Sequence, residues 1–189
     1  FNAKICAGLQ RLSQSGVPLF FMAGNRDFLA GDGFAGKAGL TLLPDPALVE
    51  IAGASVLLMH GDTLCTDDDA YQMFRTEVRS PEWRKSFLAL PLDQRKAKIE
   101  ALRQESEAQK RAKPAEIMDV NPAAVLQVLT SHRCTRLIHG HTHRPALHRL
   151  AVAGEACERW VLPDWYESGG YLACDASGCR LLEWPPAAV

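Results

Sequence analysis

A chain of 189 residues with 47% hydrophobic residues, 23% charged residues and a formal net charge of -1 has the composition of a globular domain, not of a disordered tail. No stretch approaches the roughly 18 apolar residues of a membrane-spanning helix, and the start lacks the charged-then-apolar pattern of a signal peptide. The near-neutral charge balance offers no overall basic surface, so nucleic acid is not an expected partner.

The amphipathic spacing of Ile5, Leu9 and Leu12 predicts a helix from Asn2 to Gln14, closed by Gly16. Pro18 to Met22 is a short apolar run that empties into Gly24-Asn25-Arg26-Asp27, the pattern of a buried strand entering a loop. Val56 to Met59 repeats this before His60-Gly61-Asp62, and Thr135 to Ile138 repeats it again before His139-Gly140-His141-Thr142-His143. In open α/β sheets the active site lies beyond the carboxyl ends of the strands, and all three runs deliver polar, metal-competent residues there. Between Asp68 and Asp119 the chain turns helical and strongly charged, which reads either as a solvated hairpin or as a substrate-binding lid. Beyond Pro145 short strands follow, at Ala146 to Val152, Arg159 to Leu162, Tyr171 to Cys174 and Arg180 to Trp184, with Gly154, Gly169-Gly170 and Gly178 as turns. The six cysteines, Cys6, Cys65, Cys134, Cys157, Cys174 and Cys179, include no C-x-x-C pair, so reduced thiols packed as small apolar side chains are expected.

His141 and His143, two positions apart, can address neighbouring points if the backbone bends at Gly140. An isolated H-x-H carries little information, but Asn25 and His60 end two further strands. Imidazole and carboxamide are borderline donors suited to manganese, iron, zinc or nickel. Two adjacent metals suit phosphoryl hydrolysis, and Arg26 has the planar fork to clamp a phosphate. The alternative for Arg26 is an ion pair with Asp27.

The strings G-N-R-D (Gly24 to Asp27), H-G-D-T-L-C-T-D-D (His60 to Asp68), I-M-D-V-N (Ile117 to Asn121) and I-H-G-H-T-H-R-P (Ile138 to Pro145) resemble the calcineurin-like metallophosphoesterase superfamily. The second and third resemble its UDP-2,3-diacylglucosamine diphosphatase branch in particular. The resemblance implies a four-layer α/β/β/α sandwich, one domain over residues 1–189 with a helical insertion at 69–118 as lid. Carried over by position, Asn25, His60 and His141 would ligate one metal and His143 another, with two Mn2+ ions in a complete site. Arg26 and His141 would serve catalysis, and Asn25, Arg26, Asp68, Ser106, Lys110, Lys113 and His141 would contact substrate. The implied reaction converts UDP-2,3-diacylglucosamine to 2,3-diacylglucosamine 1-phosphate and UMP for lipid A, at the cytoplasmic face of an inner membrane. Trp83, Phe87, Leu88, Leu90 and Leu92 would offer apolar surface to the acyl chains.

The chain departs from this pattern in one respect. The D-x-H and G-D motifs that supply an aspartate, a histidine and a bridging aspartate are not found upstream of Gly24, and Asp27, Asp32 and Asp62 do not replace them by motif. The expectation is an isolated chain with exposed sheet edges, weak metallation and poor turnover. Two other readings are a soluble metallophosphoesterase acting on nucleotide or protein phosphates, and an inactive fragment that binds ligand without turnover.

Overall fold

The computed structural model describes residues 2–112, 117–166 and 169–184, without the side chains of 110–112. The chain divides into two compact units, one formed by 1–62 with 122–189 and the other by 63–121.

The first unit is mixed α/β. Helix α1 (Asn2–Gln14) leads through Gly16, whose φ of 92° admits glycine readily, to strand β1 (Phe20–Met22). Helix α2 (Asp32–Ala38) follows, and strand β2 (Thr41–Leu43) pairs in parallel with β1. The expected helical spacing is present in α1, yet the helix buries no residue, with Ile5 and Leu12 exposed. β2 is the one ladder partner of β1 among the described residues, and Phe20 is exposed.

A five-stranded sheet is the centre of this unit. It contains β3 (Ala47–Ile51), β4 (Ala54–Met59), β5 (Arg136–His139), β6 (Ala146–Val152) and β7 (Glu155–Val161), in the order β3-β4-β5-β7-β6. Strands β4, β5 and β7 are parallel neighbours, so their carboxyl ends meet at one sheet edge. Side-chain alternation divides the burial between the two faces. On one face Val56, Ile138 and Trp160 form a cluster with Leu172, Cys174, Cys179 and Leu181, which come from the hairpin of β8 (Gly169–Asp175) and β9 (Gly178–Trp184). On the other, Leu57, Leu137 and Val161 are almost wholly excluded from solvent. Helix α6 (Pro122–His132) contributes buried Val125 and Leu129.

Several sequence expectations change here. β7 starts at Glu155, four residues before the expected Arg159, because a tight turn at Ala153-Gly154, both at positive φ, extends the ladder back to Val152 opposite Glu155. Gly169 and Gly170 are not turn residues but the start of β8. A Cβ on Gly169 would lie 2.7 Å from Trp165 Cε3, and one on Gly170 would lie 2.7 Å from Pro163 Cγ. Close packing is what these two glycines permit. Cys174 and Cys179 are not reduced thiols but a disulfide, since the β8–β9 register sets them opposite each other with Cα atoms 4.1 Å apart. Cys65, Cys134 and Cys157 are buried and not disulfide-bonded, and burial pushes the last two thiols up, which keeps them protonated and inert.

The second unit is helical. Its helices are α3 (Asp69–Arg79), α4 (Pro81–Ala89) and α5 (Leu92–Ala112). Asp68 caps α3 by accepting the Tyr71 N–H at 3.1 Å, and Ser80 caps α4 by accepting from Trp83, with Pro81 at its first turn. Asn121 closes the unit through its N–H to the Leu64 carbonyl at 2.8 Å and its side-chain amide to Asp67 at 2.7 Å. Of the apolar residues expected to face a ligand, Phe87 is instead core, stacked on Trp83 at 4.7 Å, while Leu88 and Leu92 are exposed. A groove of about 750 Å³ opens in this unit, lined by Tyr71, Met73, Phe74, Leu102, Ser106 and Gln109. Among the described residues no helix is long and apolar enough to cross a membrane.

Candidate metal and phosphate site

The loops that follow β1, β4, β5 and β7 carry the candidate residues of the first unit. After β1, the Asp27 carboxylate accepts the Gly24 N–H and closes the loop that presents Asn25 and Arg26. Arg26 is exposed and Asn25 half-buried. The Asn25 N–H donates to His60 Nε2 at 3.3 Å, which ties the first loop to the second. This approach depends on Gly24, since a Cβ there would lie 2.8 Å from His60 Cε1. Behind His60, its backbone N–H donates to the Asp45 carboxylate at 3.3 Å.

The third loop brings the His141 ring edge-on to His60, with centroids 5.0 Å apart. The expected bend at Gly140 is not the one found. His141 and His143 themselves take left-handed φ values of 67° and 54°, and the Thr142 N–H closes on the Gly140 carbonyl at 2.8 Å. Each such residue costs roughly 1–2 kcal/mol relative to right-handed backbone, and strain of this kind concentrates at functional sites. The two departures aim the two imidazoles differently. His141 meets His60, whereas His143 faces the loop after β7, with Nδ1 3.5 Å from Asp164 Oδ2 and its ring 5.5 Å from that of Tyr166.

Asn25, His60 and His141 therefore come together, and His143 extends from the same loop as His141 toward Asp164 and Tyr166. Asp164 and Tyr166 were not legible in the sequence, because only the parallel pairing of β7 with β5 brings their loop to His143. Asp62, two residues after His60, is fully buried. In the helical unit Asp68 is a helix cap and Ser106 lines the groove. Lys113 lies outside the described residues, as does the side chain of Lys110.

Two imidazoles in contact, with the backbone of Asn25 against one of them, bring together residue types that suit a borderline divalent cation. His60, His141 and Asn25 would hold one such ion and His143 a second. Among the described residues no three His, Cys, Asp or Glu side chains converge as a metal-binding group. A ligating imidazole is commonly oriented by a carboxylate on its other nitrogen, and Asp164 stands in that relation to His143. Asp164→Ala is expected to weaken manganese binding by about ten- to a hundredfold in a metal titration. Equal affinity in the variant would detach Asp164 from the site.

A mixed α/β unit whose central parallel strands carry histidines to one sheet edge fits the metallophosphoesterase-like class of folds. The chain is 51% identical over 181 residues to the UDP-2,3-diacylglucosamine hydrolase of Aromatoleum aromaticum, spanning 96% of this chain and 71% of that protein. It is 46% identical to the hydrolases of the same name from Xanthomonas axonopodis pv. citri and an Enterobacter species, over 94% and 96% of this chain and 74% and 75% of theirs. The chain belongs to the UDP-2,3-diacylglucosamine hydrolase family. No protein-family model matches it.

Proposed function

We propose that this protein hydrolyses the diphosphate of UDP-2,3-diacylglucosamine, releasing 2,3-diacylglucosamine 1-phosphate and UMP for lipid A synthesis. The observation that carries this reading is the meeting of His60, His141 and the Asn25 loop at the carboxyl edge of the sheet, in a chain about half identical to hydrolases of that name. In the reaction a water oxygen bonds to one phosphorus while the bond from that phosphorus to the bridging oxygen breaks. The bridging oxygen leaves with the other phosphate.

Manganese held by Asn25, His60 and His141, with a second ion at His143, would supply positive charge to the phosphoryl oxygens and a more acidic water. Arg26, exposed at the rim, would clamp a phosphate and offset the charge that develops on it. His60 and His141 would be held by the loop contacts described above, and the left-handed backbone of the third loop fixes where each imidazole points. The complete architecture in this reading is a four-layer α/β/β/α sandwich with the helical unit as lid. The groove beside Ser106, with Met73 and Phe74 in its wall, would take acyl chain, and Lys110 and Lys113 would assist at the substrate.

The test compares lipid-linked with water-soluble UDP-sugars in the presence of manganese. Preferential turnover of the lipid-linked substrate is expected, and equal turnover would remove the lipid assignment in favour of a soluble phosphoesterase. One observation favours a second reading, ligand binding without turnover: the described donors complete no metal group. Retention of the lipid substrate with no UMP released at any manganese concentration would select it.

The protein would work peripherally at the cytoplasmic face of the inner membrane. Leu92 shares α5 with the exposed cations Lys96 and Arg103, and Leu88 of α4 is exposed as well, apolar and basic groups of the kind that settle on anionic lipid. Reversing the exposed Lys96 and Arg103 to glutamate should weaken cosedimentation with anionic vesicles at low salt, at about 1 kcal/mol for each cation removed from the surface. Binding that is insensitive to both the charge reversal and salt would rule out this face.

A further inference from the structure

Between the loops that carry His60 and His141 lies a side chain to which nothing above assigns a role. His139 ends β5 and is fully buried. A buried imidazole is costly unless its nitrogens are satisfied, and here each nitrogen has a close partner. Nδ1 is 2.9 Å from the carbonyl oxygen of Gly140, and Nε2 is 3.1 Å from Arg159 Nη1. A guanidinium has only donors, so Nε2 must present its lone pair to Arg159. The proton then resides on Nδ1 and is donated to the Gly140 carbonyl. Arg159 reaches the ring because it pairs with Leu137 in the parallel ladder, one alternation before His139 on the same face.

The other side of the ring is held by backbone. A Cβ built on Gly61 would lie 2.8 Å from His139 Nδ1 and 3.1 Å from the Gly140 carbonyl oxygen, and Gly61 has a φ of 108°. The residue after His60 thus rests its bare backbone on the imidazole. The Gly140 N–H adds a direct bond to the His60 carbonyl at 3.0 Å. The ring separates and joins the two loops, one residue from His60 on one side and two from His141 on the other.

We propose that His139, locked as its Nδ1–H tautomer by Arg159, is a positioning residue that sets the spacing between His60 and His141. This inference rests on the reading of those two histidines as the hydrolytic site. It adds that their mutual geometry is enforced from beneath by a neutral imidazole and an arginine that touch neither substrate nor metal.

The experiment uses the full chain as wild type, Arg159→Leu and the conservative Arg159→Lys, with long-range nitrogen–proton NMR of the histidine rings beside kinetics. In the wild type, His139 should show protonated Nδ1 and bare Nε2, the reverse of the tautomer that free histidine prefers. Arg159→Leu should shift or broaden the ring signals of His60 and His141, leave that of His132 in place, and lower kcat about ten- to a hundredfold with little change in KM. Arg159→Lys, which keeps a donor, should recover the ring signals and most of kcat. Protonated Nε2 on the wild-type His139 would overturn the proposal. So would Arg159→Leu ring signals at His60 and His141 that coincide with wild type, whatever its melting temperature. If Arg159→Leu does not fold, the wild-type tautomer and the Arg159→Lys spectrum decide the matter. Absence of hydrolysis in every form would count against the proposed reaction, while the ring spectra would still judge the role of His139.

Discussion

Replacing His141 with alanine is expected to lower turnover about a hundred- to a thousandfold, while His148→Ala stays within about twofold of wild type. The contrast follows from placement. His141 meets His60 edge to edge beside the Asn25 loop, and loss of its imidazole removes a donor from the group that would hold a cation against the diphosphate. Lewis-acid stabilisation of a phosphoryl transition state is worth several kcal/mol, and each ~1.4 kcal/mol lost is tenfold in rate. His148 projects into solvent from β6, and a surface substitution of this kind changes little. Steady-state assays of both variants check the assignment, and similar losses in the two would show that the third loop does not carry the chemistry.

Leu137→Ala should destabilise the protein by about 2–5 kcal/mol, a large share of the roughly 5–15 kcal/mol that separates folded from unfolded domains. Leu137 is fully buried in β5, between Leu57 of β4 and Arg159 of β7 in the ladder. Truncation removes buried methyl groups and leaves a cavity that a sheet fixed on both sides closes poorly. For a chain of this size ~3 kcal/mol corresponds to a fall in melting temperature of roughly 6–12 °C. Leu182→Ala, in β9 and 38% exposed, should move the transition far less. A Leu137→Ala melting curve that overlays the wild type would contradict the placement of β5 at the centre of the sheet. The strand matters to function too, because it delivers His139, Gly140 and His141 to the sheet edge.

The parts of this fold that were legible in the sequence are those in which a local pattern and the tertiary role coincide. The runs before His60 and His139 are apolar because β4 and β5 pack inside, and polar residues follow at once because those strands end at the site; the run before Gly24 forms β1 as expected but is not buried, with Phe20 exposed and Phe21 and Met22 half-buried. Helix α1 was legible from its spacing, though its apolar face is not covered as that spacing suggests. Strand β3 was not legible, because the hairpin to β4 turns at Ala52-Gly53, both at positive φ, where asparagine or aspartate before glycine is the recognisable signal. The segment of α2, Asp-Gly-Phe-Ala-Gly-Lys-Ala, has two glycines that make it a poor helix on propensity alone. Helix α6 has a readable start, with Asn121 before Pro122.

Within the site, Asn25, His60, His141 and His143 were legible because each follows a strand. Asp164, Tyr166 and Arg159 were not, since their proximity to the histidines comes from the β5–β7 pairing, a contact between residues about 20 apart in the chain. The glycines divide in the same way. Gly154 and Gly178 are turn residues at positive φ, whereas Gly24, Gly169 and Gly170 admit neighbouring side chains, a purpose that composition cannot reveal. The Cys174–Cys179 link likewise depends on hairpin register and not on a spacing motif.

Paramagnetic broadening by manganese tests, residue by residue and even at weak affinity, whether Asn25, His60 and His141 hold one divalent cation and His143 a second. At substoichiometric Mn2+ the ring signals of His60, His141 and His143 should vanish first, followed by that of buried His139, while those of His132 and His148 persist. Broadening that begins at His132 or His148, or that reaches all six histidines together, would contradict it.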